Sequence, residues 1–123
     1  MAKILIADDS AVMRRNLRFI FTNAGHEIVA EAINGKEAFL AFKKYKPDLV
    51  TMDISMPEFD GINGVKMIIN DYPDANIVMI TTLSQKNLVY EAVKSGAKNY
   101  ITKPIDKEKV NGVINDVLSE LDD

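Results

Sequence analysis

Residues 49–53 read Leu49-Val50-Thr51-Met52-Asp53, a nearly continuous apolar run that ends in an acid. Short runs of this kind are typical of strands that are covered on both faces, as in a parallel sheet. Residues 4–7 and 77–80 have the same character and predict two more interior strands. Residues 27–32 and 98–102 are more polar and predict edge strands.

The segments between these strands show the 3.6-residue period of amphipathic helices. The period is clearest in the last segment, where apolar side chains recur at Val110, Val113, Ile114, Val117, Leu118 and Leu121. The stripe of the second helix includes Tyr45, and residues 85–95 have a weaker stripe that includes Leu88. Gly25 and Gly96 stand where helix C-caps belong.

Strands and helices therefore alternate along the whole chain, which predicts an α/β fold of the (βα)5 type. Short links between the elements imply parallel strands joined by right-handed crossovers. No linker, repeat or low-complexity tract interrupts the pattern, so we expect a single domain over residues 1–123.

The composition excludes several classes of protein. Hydrophobic residues make up 47% and charged residues 27% of the 123 residues, which is ordinary for a globular protein. The net charge of −3 gives no reason to expect nucleic acid or an anionic membrane as a partner. There is no cysteine, which excludes disulfides and thiolate metal sites. No segment has the pattern of a membrane span or a signal peptide, and we therefore expect a cytoplasmic location.

Four of the five predicted strands end in side chains that carry chemistry. Asp8 and Asp9 follow the first strand, Asp53 ends the third, Thr81 follows the fourth and Lys103 follows the fifth. In an open parallel sheet, ligands bind at this edge. Clustered carboxylates favour a hard cation such as Mg²⁺, and a carboxylate can attack a phosphoryl group. The sequence therefore predicts a site where a metal ion and a phosphoryl group meet.

Together these residues resemble the receiver domain of the two-component response-regulator family, and in particular its single-domain chemotaxis-type members. Met56-Pro57 and Asp60-Gly61, in the loop after Asp53, and residues 100–104 (YITKP) add to the match. The resemblance covers all 123 residues. It implies a flavodoxin-like, doubly wound parallel sheet with strand order 2-1-3-4-5, and no output domain after the receiver domain.

The resemblance also implies a role for each acid of the site. Asp53 is the expected phosphoacceptor. Asp9, Asp53 and the backbone carbonyl of Ser55 are the expected ligands of Mg²⁺, and Asp8 would act through a metal-bound water.

The same resemblance implies how phosphorylation becomes a signal. Thr81 and Lys103 would contact the phosphoryl group, and the Lys103–Pro104 bond would be cis. Thr81 would move towards the phosphoryl group and Tyr100 would turn inward, which would change a partner-binding face formed by residues 85–95, the fifth strand and the last helix. Three apolar residues lie off the predicted core stripes and are assigned to that face: Val89, Tyr90 and Ile105.

Two positions depart from the chemotaxis-type pattern. Ser55 stands where asparagine is expected, and Leu83 stands where glutamate is expected. In the family these positions flank the path of the water that removes the phosphoryl group. Leu83 can neither orient water nor pair with Lys103, so we expect slower self-dephosphorylation.

The implied phosphoryl donor is a sensor histidine kinase or a histidine phosphotransfer protein. The implied output is a protein–protein contact in chemotaxis or motility, made by a monomer or by a weak dimer that forms on phosphorylation. A phosphorelay intermediate without a motility role is one alternative. Another is a Mg²⁺-dependent phosphohydrolase, but that chemistry usually needs an acid where this chain has Ser55. A flavin or nucleotide protein would need a phosphate-binding loop where this chain has Asp8-Asp9.

Several polar and aromatic residues also have simpler interpretations. Asp60 is expected to begin a helix, and His26 to be an exposed loop residue. Arg14, Arg15 and Arg18 are expected on a solvated helix face, with docking to an acidic kinase or phosphotransfer surface as the alternative. Simple packing on an edge strand is the competing interpretation of Tyr100.

Overall fold

Strands and helices alternate in the computed structural model, which describes residues 1–119. The elements are β1 (Lys3–Ala7), α1 (Ala11–Asn23), β2 (Glu27–Ala32), α2 (Gly35–Tyr45), β3 (Leu49–Asp53), α3 (Gly61–Asp71), β4 (Ile77–Thr81), α4 (Lys86–Lys94), β5 (Asn99–Thr102) and α5 (Lys107–Ser119). A short 3-10 turn, Leu83–Gln85, leads directly into α4. Leu121, the last residue of the apolar stripe predicted for the final helix, lies outside the described residues.

The five strands form one parallel sheet in the order β2-β1-β3-β4-β5. This confirms the doubly wound (βα)5 fold, with β2 and β5 at the edges as their polar composition predicts. Within the described part of the chain, no helix is long and apolar enough to cross a membrane.

Helices cover both faces of the sheet, and this explains why the interior strands are apolar throughout. In β1, Leu5 and Ala7 belong to one hydrophobic cluster, and Ile4 and Ile6 belong to the other. The first cluster is completed by residues of α2, α3 and α4, and the second by residues of α1 and α5. Because successive strand residues point to opposite faces, both faces of an interior strand must be apolar.

Two apolar side chains on predicted core stripes, Tyr45 and Leu88, are exposed instead. Val89 and Ile105, which are predicted to lie off the core stripes and on the partner-binding face, are half-buried and pack against the core clusters. The short helix α4 has one buried residue, Ala92, so its few apolar positions do not determine which side faces the sheet.

Both predicted glycine stops are confirmed. Gly25 follows the C-cap of α1 with a φ of +90°, and Gly96 follows the C-cap of α4 with a φ of +127°. These backbone angles lie in the left-handed region that glycine adopts without steric cost.

Candidate functional site

The predicted site residues meet at the carboxyl edge of the sheet. Asp8 directly follows β1, Asp53 is the last residue of β3, Thr81 is the last residue of β4, and Lys103 directly follows β5. Asp53 lies beside Ile80 in the sheet register, and Thr81 lies beside Thr102. The parallel topology therefore brings together residues that are far apart in the sequence.

Three carboxylates form a compact acidic cluster at this edge. Asp8, Asp9 and Asp53 each offer an oxygen, and these oxygens lie within 4.8 Å of one another. Asp8 and Asp53 are buried and Asp9 is exposed, so the cluster opens to solvent on one side.

One buried oxygen of the acidic cluster accepts no hydrogen bond from the described residues. One oxygen of Asp8 accepts the Ser10 amide at 2.8 Å, but the other, Oδ2, is buried without a hydrogen-bond partner among residues 1–119. A buried polar atom without a partner is costly, and a bound cation would remove that cost. Two buried carboxylates and an exposed one also match the all-oxygen, partly open donor set that Mg²⁺ prefers. The residues present therefore fit a divalent metal ion.

The electrostatics of Asp53 follow from this crowding. Burial, and then the nearby Asp8 carboxylate, raise the pKa of Asp53 to about 6, against the smaller opposing effect of the Lys103 ammonium. Burial also raises the pKa of Asp8, although the Ser10 amide and Lys103 oppose it. Both carboxyl groups are thus held in an environment that disfavours their negative charge.

Lys103 places a positive charge beside the acidic cluster. Its Nζ lies 3.4 Å from Asp53 Oδ1 and 4.0 Å from Asp8 Oδ2. Its backbone amide donates to the Thr81 carbonyl at 2.7 Å, and the Lys103–Pro104 bond is cis, as predicted. One ammonium group therefore faces both buried acids.

The loop after Asp53 folds tightly back on β3. Asp60 caps α3 by accepting the Asn63 amide at 2.9 Å, which confirms its simpler interpretation as a helix start. The Gly61 amide donates to the Ile54 carbonyl at 3.0 Å. A Cβ on Gly61 would lie 2.1 Å from the carbonyl oxygen of Asp53, so only glycine allows this close approach.

Thr81 and Tyr100 border a cavity of about 260 Å³ beside the acidic site. Thr81 is buried, whereas Tyr100 is exposed on β5. The hydroxyl of Thr81 lies 2.9 Å from Oε1 of Gln85, a residue that the sequence analysis did not identify. Thr82 and Gln85 have the spacing of a helix capping box, a signal that could have identified Gln85.

Two of the simpler interpretations are wrong in detail. Arg14 is largely covered, because its guanidinium donates to the Asp8 carbonyl at 2.8 Å and to Glu31 at 3.1 Å, and Arg18 also pairs with Glu31. His26 is half-buried and accepts the Ala2 amide at its Nδ1, at 3.0 Å. The burial of Arg14 and of His26 depends on tertiary contacts that the local sequence does not show.

Comparison with known proteins identifies the family. The model of the response regulator receiver domain matches residues 4–115. The chemotaxis protein CheY of Thermotoga maritima is 45% identical over 115 residues, which cover 94% of this chain and 96% of that protein. CheY of Bacillus subtilis is 44% identical over 117 residues, which cover 95% of this chain and 98% of that protein.

Solved structures have the same fold. The CheX–CheY–BeF3–Mg²⁺ complex from Borrelia burgdorferi matches with a TM-score of 0.89 and 37% identity, over 94% of this chain and 87% of the other. CheY4 of Vibrio cholerae matches with a TM-score of 0.88 and 30% identity, over 96% of this chain and 99% of the other. Because a family model spans most of the chain and relatives exceed 40% identity over nearly its full length, the chain belongs to the response regulator receiver domain family.

Proposed function

We propose that this protein is a stand-alone response regulator of chemotaxis that is switched by phosphorylation of Asp53. The observation that carries the proposal is the position of Asp53: it is a buried carboxylate at the end of β3, 3.4 Å from the Lys103 ammonium and within reach of Asp8 and Asp9. The chemotaxis role is supported by the full-length similarity to CheY proteins.

The chemistry proposed for Asp53 is transfer of a phosphoryl group from a phosphohistidine. A carboxylate oxygen of Asp53 forms a bond to phosphorus while the bond from phosphorus to the imidazole nitrogen breaks, and the released imidazole takes up a proton. With its pKa raised to about 6, the Asp53 carboxyl is mainly ionised at neutral pH and can act as the nucleophile. The Lys103 ammonium would then bind a phosphoryl oxygen.

The acidic cluster is proposed to hold Mg²⁺ through Asp9, Asp53 and the backbone carbonyl of Ser55, with Asp8 acting through water. When bound, the ion supplies charge neutralisation for the carboxylates and the phosphoryl oxygens. Oδ2 of Asp8 supports this assignment, because it accepts no hydrogen bond from the described residues and a metal-bound water would supply one.

The proposed output is a change at the surface formed by α4, β5 and α5. In the protein phosphorylated on Asp53, the Thr81 hydroxyl would donate a hydrogen bond to a phosphoryl oxygen. Tyr100 would then turn from its exposed position into the cavity beside Thr81. This is a shift between two populations, since the phosphoryl group binds one arrangement better.

The proposed partners are a histidine kinase or histidine phosphotransfer protein as donor, and a protein target on the surface of α4, β5 and α5. A receiver without an output domain, a cytoplasmic location, and a monomer or weak dimer remain predictions. The switch is proposed to act by binding its protein target, and its only catalysis is to assist its own phosphoryl transfer and loss.

The rate of phosphotransfer from a chemotaxis histidine kinase, compared with the rates from kinases of other pathways, separates this role from that of a phosphorelay intermediate.

The test of the proposed function is incubation with acetyl phosphate and Mg²⁺, followed by intact-protein mass spectrometry. The parent is expected to gain one phosphoryl group, Asp53→Asn to gain none, and the control Asp60→Asn, which alters an exposed helix cap, to gain one. Labelling of Asp53→Asn at the parent level would overturn the proposal, and so would rapid turnover of acetyl phosphate without a phosphorylated species.

A further inference from the structure

Gln85 connects two loops of the phosphorylation site. It is the last residue of the 3-10 turn before α4. Its Oε1 lies 2.9 Å from the Thr81 hydroxyl and 3.0 Å from the Thr82 amide. At the other end of the same side-chain amide, Nε2 donates to the Ser55 hydroxyl at 2.6 Å. One side chain thus spans from the end of β4 to the loop after Asp53.

The direction of these hydrogen bonds follows from donor and acceptor chemistry. The backbone N–H of Thr82 can only donate, so the Gln85 atom that faces it must be the oxygen. That oxygen can only accept, so the Thr81 hydroxyl that also faces it must be the donor. A hydroxyl has one proton. The Thr82 carbonyl lies 3.3 Å from the Thr81 hydroxyl, but Oε1 of Gln85 is nearer, at 2.9 Å, and is the main acceptor of that proton.

The proposed signalling step needs that same proton. Thr81 can donate to a phosphoryl oxygen only after its bond to Gln85 has broken. We propose that Gln85 is a positioning residue that holds the Thr81 hydroxyl in the unphosphorylated arrangement, and that phosphorylation must displace it. This inference rests on the proposed function and names an element of its regulation.

The displacement would carry the change towards the partner-binding surface. Displacement of Gln85 would move its Oε1 away from the Thr82 amide as well as from the Thr81 hydroxyl, because the same oxygen accepts both hydrogen bonds. Thr82 and Gln85 bracket the 3-10 turn, which continues without interruption into α4 at Lys86. An event at Asp53 would therefore release the beginning of the helix that borders the Tyr100 cavity.

The test measures the affinity of the protein for beryllofluoride with Mg²⁺, as a stand-in for the phosphoryl group. Gln85→Met keeps the length of the side chain and removes its hydrogen bonds. Because the parent must break one neutral hydrogen bond that the variant lacks, Gln85→Met is expected to bind beryllofluoride roughly 2- to 12-fold more tightly. The control Asn87→Ala alters an exposed residue two positions on and is expected to match the parent.

A double-mutant cycle shows whether Gln85 acts through Thr81. In a Thr81→Val background the hydroxyl is absent, so Gln85→Met is expected to change the affinity less than twofold. Equal tightening in both backgrounds would overturn the proposal, as would equal or weaker binding by Gln85→Met alone. Simple damage to the fold weakens binding and so has the opposite sign.

The amide resonance of Thr82 gives a second measurement on the unmodified protein. Adding beryllofluoride and Mg²⁺ to the parent is expected to move this resonance towards its position in free Gln85→Met, and an unchanged resonance would contradict the displacement of Gln85. If the parent fails to bind beryllofluoride, or Asp53→Asn binds it equally well, the proposed function fails and this inference falls with it. If the parent binds and only the Gln85 results fail, the proposed function stands.

Discussion

Asp53 sits in an environment that disfavours its own charge, and this has a consequence for stability. Its pKa in the folded protein is about 6, above the ordinary value of 3.8. Between these values the folded state binds more protons than the unfolded state, so the free energy of unfolding falls as the pH rises from about 4 to about 6 and stays low above that range. The negative charge that the proposed phosphoacceptor role requires of Asp53 therefore reduces the stability of the fold.

Replacing this carboxylate should stabilise the protein when no metal is present. In EDTA at pH 8, Asp53→Asn is expected to increase the free energy of unfolding by about 1–3 kcal/mol, with the shifted pKa setting the upper bound. The gain should shrink as the pH approaches 4. Urea unfolding at several pH values measures it, with Asp74→Asn, in the exposed loop after α3, as control. A gain that is absent at pH 8, or larger at pH 4, would contradict the assigned environment.

Leu83 is the residue for which the family pattern predicts slower self-dephosphorylation. It is 75% exposed, and it lines both the cavity beside Thr81 and the surface depression beside Lys103. An apolar side chain there offers no hydrogen bond to an attacking water. Leu83→Glu is therefore expected to shorten the lifetime of the phosphorylated protein by up to about tenfold, the value of one such hydrogen bond.

The lifetime is measured by the loss of labelled phosphate from the purified phosphoprotein. Ser84→Glu is the matched control, because it adds the same charge at the next exposed position of the 3-10 turn. Equal lifetimes for the parent and Leu83→Glu would show that this position does not control the water.

The start of α3 is the element that shapes the loop of the site. Gly61→Ala would push a methyl group against the carbonyl of Asp53, where a Cβ would lie at 2.1 Å, and this backbone cannot yield as a flexible side chain would. We expect a loss of about 1–3 kcal/mol in the free energy of unfolding together with weaker beryllofluoride binding.

Gly112 provides the matched control for this substitution. It lies within α5, and a Cβ added there meets no atom within 4 Å. Gly112→Ala is expected to stabilise the protein by up to about 1 kcal/mol, because alanine is the better helix former, and to leave beryllofluoride binding unchanged. Thermal and urea unfolding measure both variants, and a stable, fully binding Gly61→Ala would contradict the close approach.

The strands and most of the helices could be predicted because the apolar runs of the strands and the 3.6-residue period of the helices are both clear in this sequence. An interior strand such as β3 is apolar on both faces, and α5 repeats its apolar residues over several turns. The side of α4 that faces the sheet could not be predicted, since Leu88 and Val89 both have helical spacing to Ala92 and only packing selects Val89. Local pattern identifies a helix, but its orientation depends on the neighbour against which it packs.

The proposed signal connects the acidic site with the surface formed by α4, β5 and α5, from Asp53 through Thr81 to Tyr100. Tyr100→Ala is expected to leave labelling of Asp53 by acetyl phosphate unchanged and to weaken beryllofluoride-dependent binding of the protein target at least several-fold, because the ring that would fill the cavity is missing. Tyr45→Ala, which removes an exposed aromatic ring from α2, is the control. Full target binding by Tyr100→Ala would favour its simpler interpretation as edge-strand packing.

Sequence alone determined the alternation of strands and helices, the parallel sheet, and the acids, threonine and lysine at the strand ends. These depend on periodicity and on the rule that parallel strands end along one edge, which are properties of short segments. Only the tertiary structure decided that Asp8 Oδ2 accepts no hydrogen bond from residues 1–119, that Lys103 faces two acids, and that Gln85 accepts a hydrogen bond from Thr81. Those facts depend on distances between side chains from different loops, and such distances exist only once the sheet has assembled and the helices have packed on both its faces.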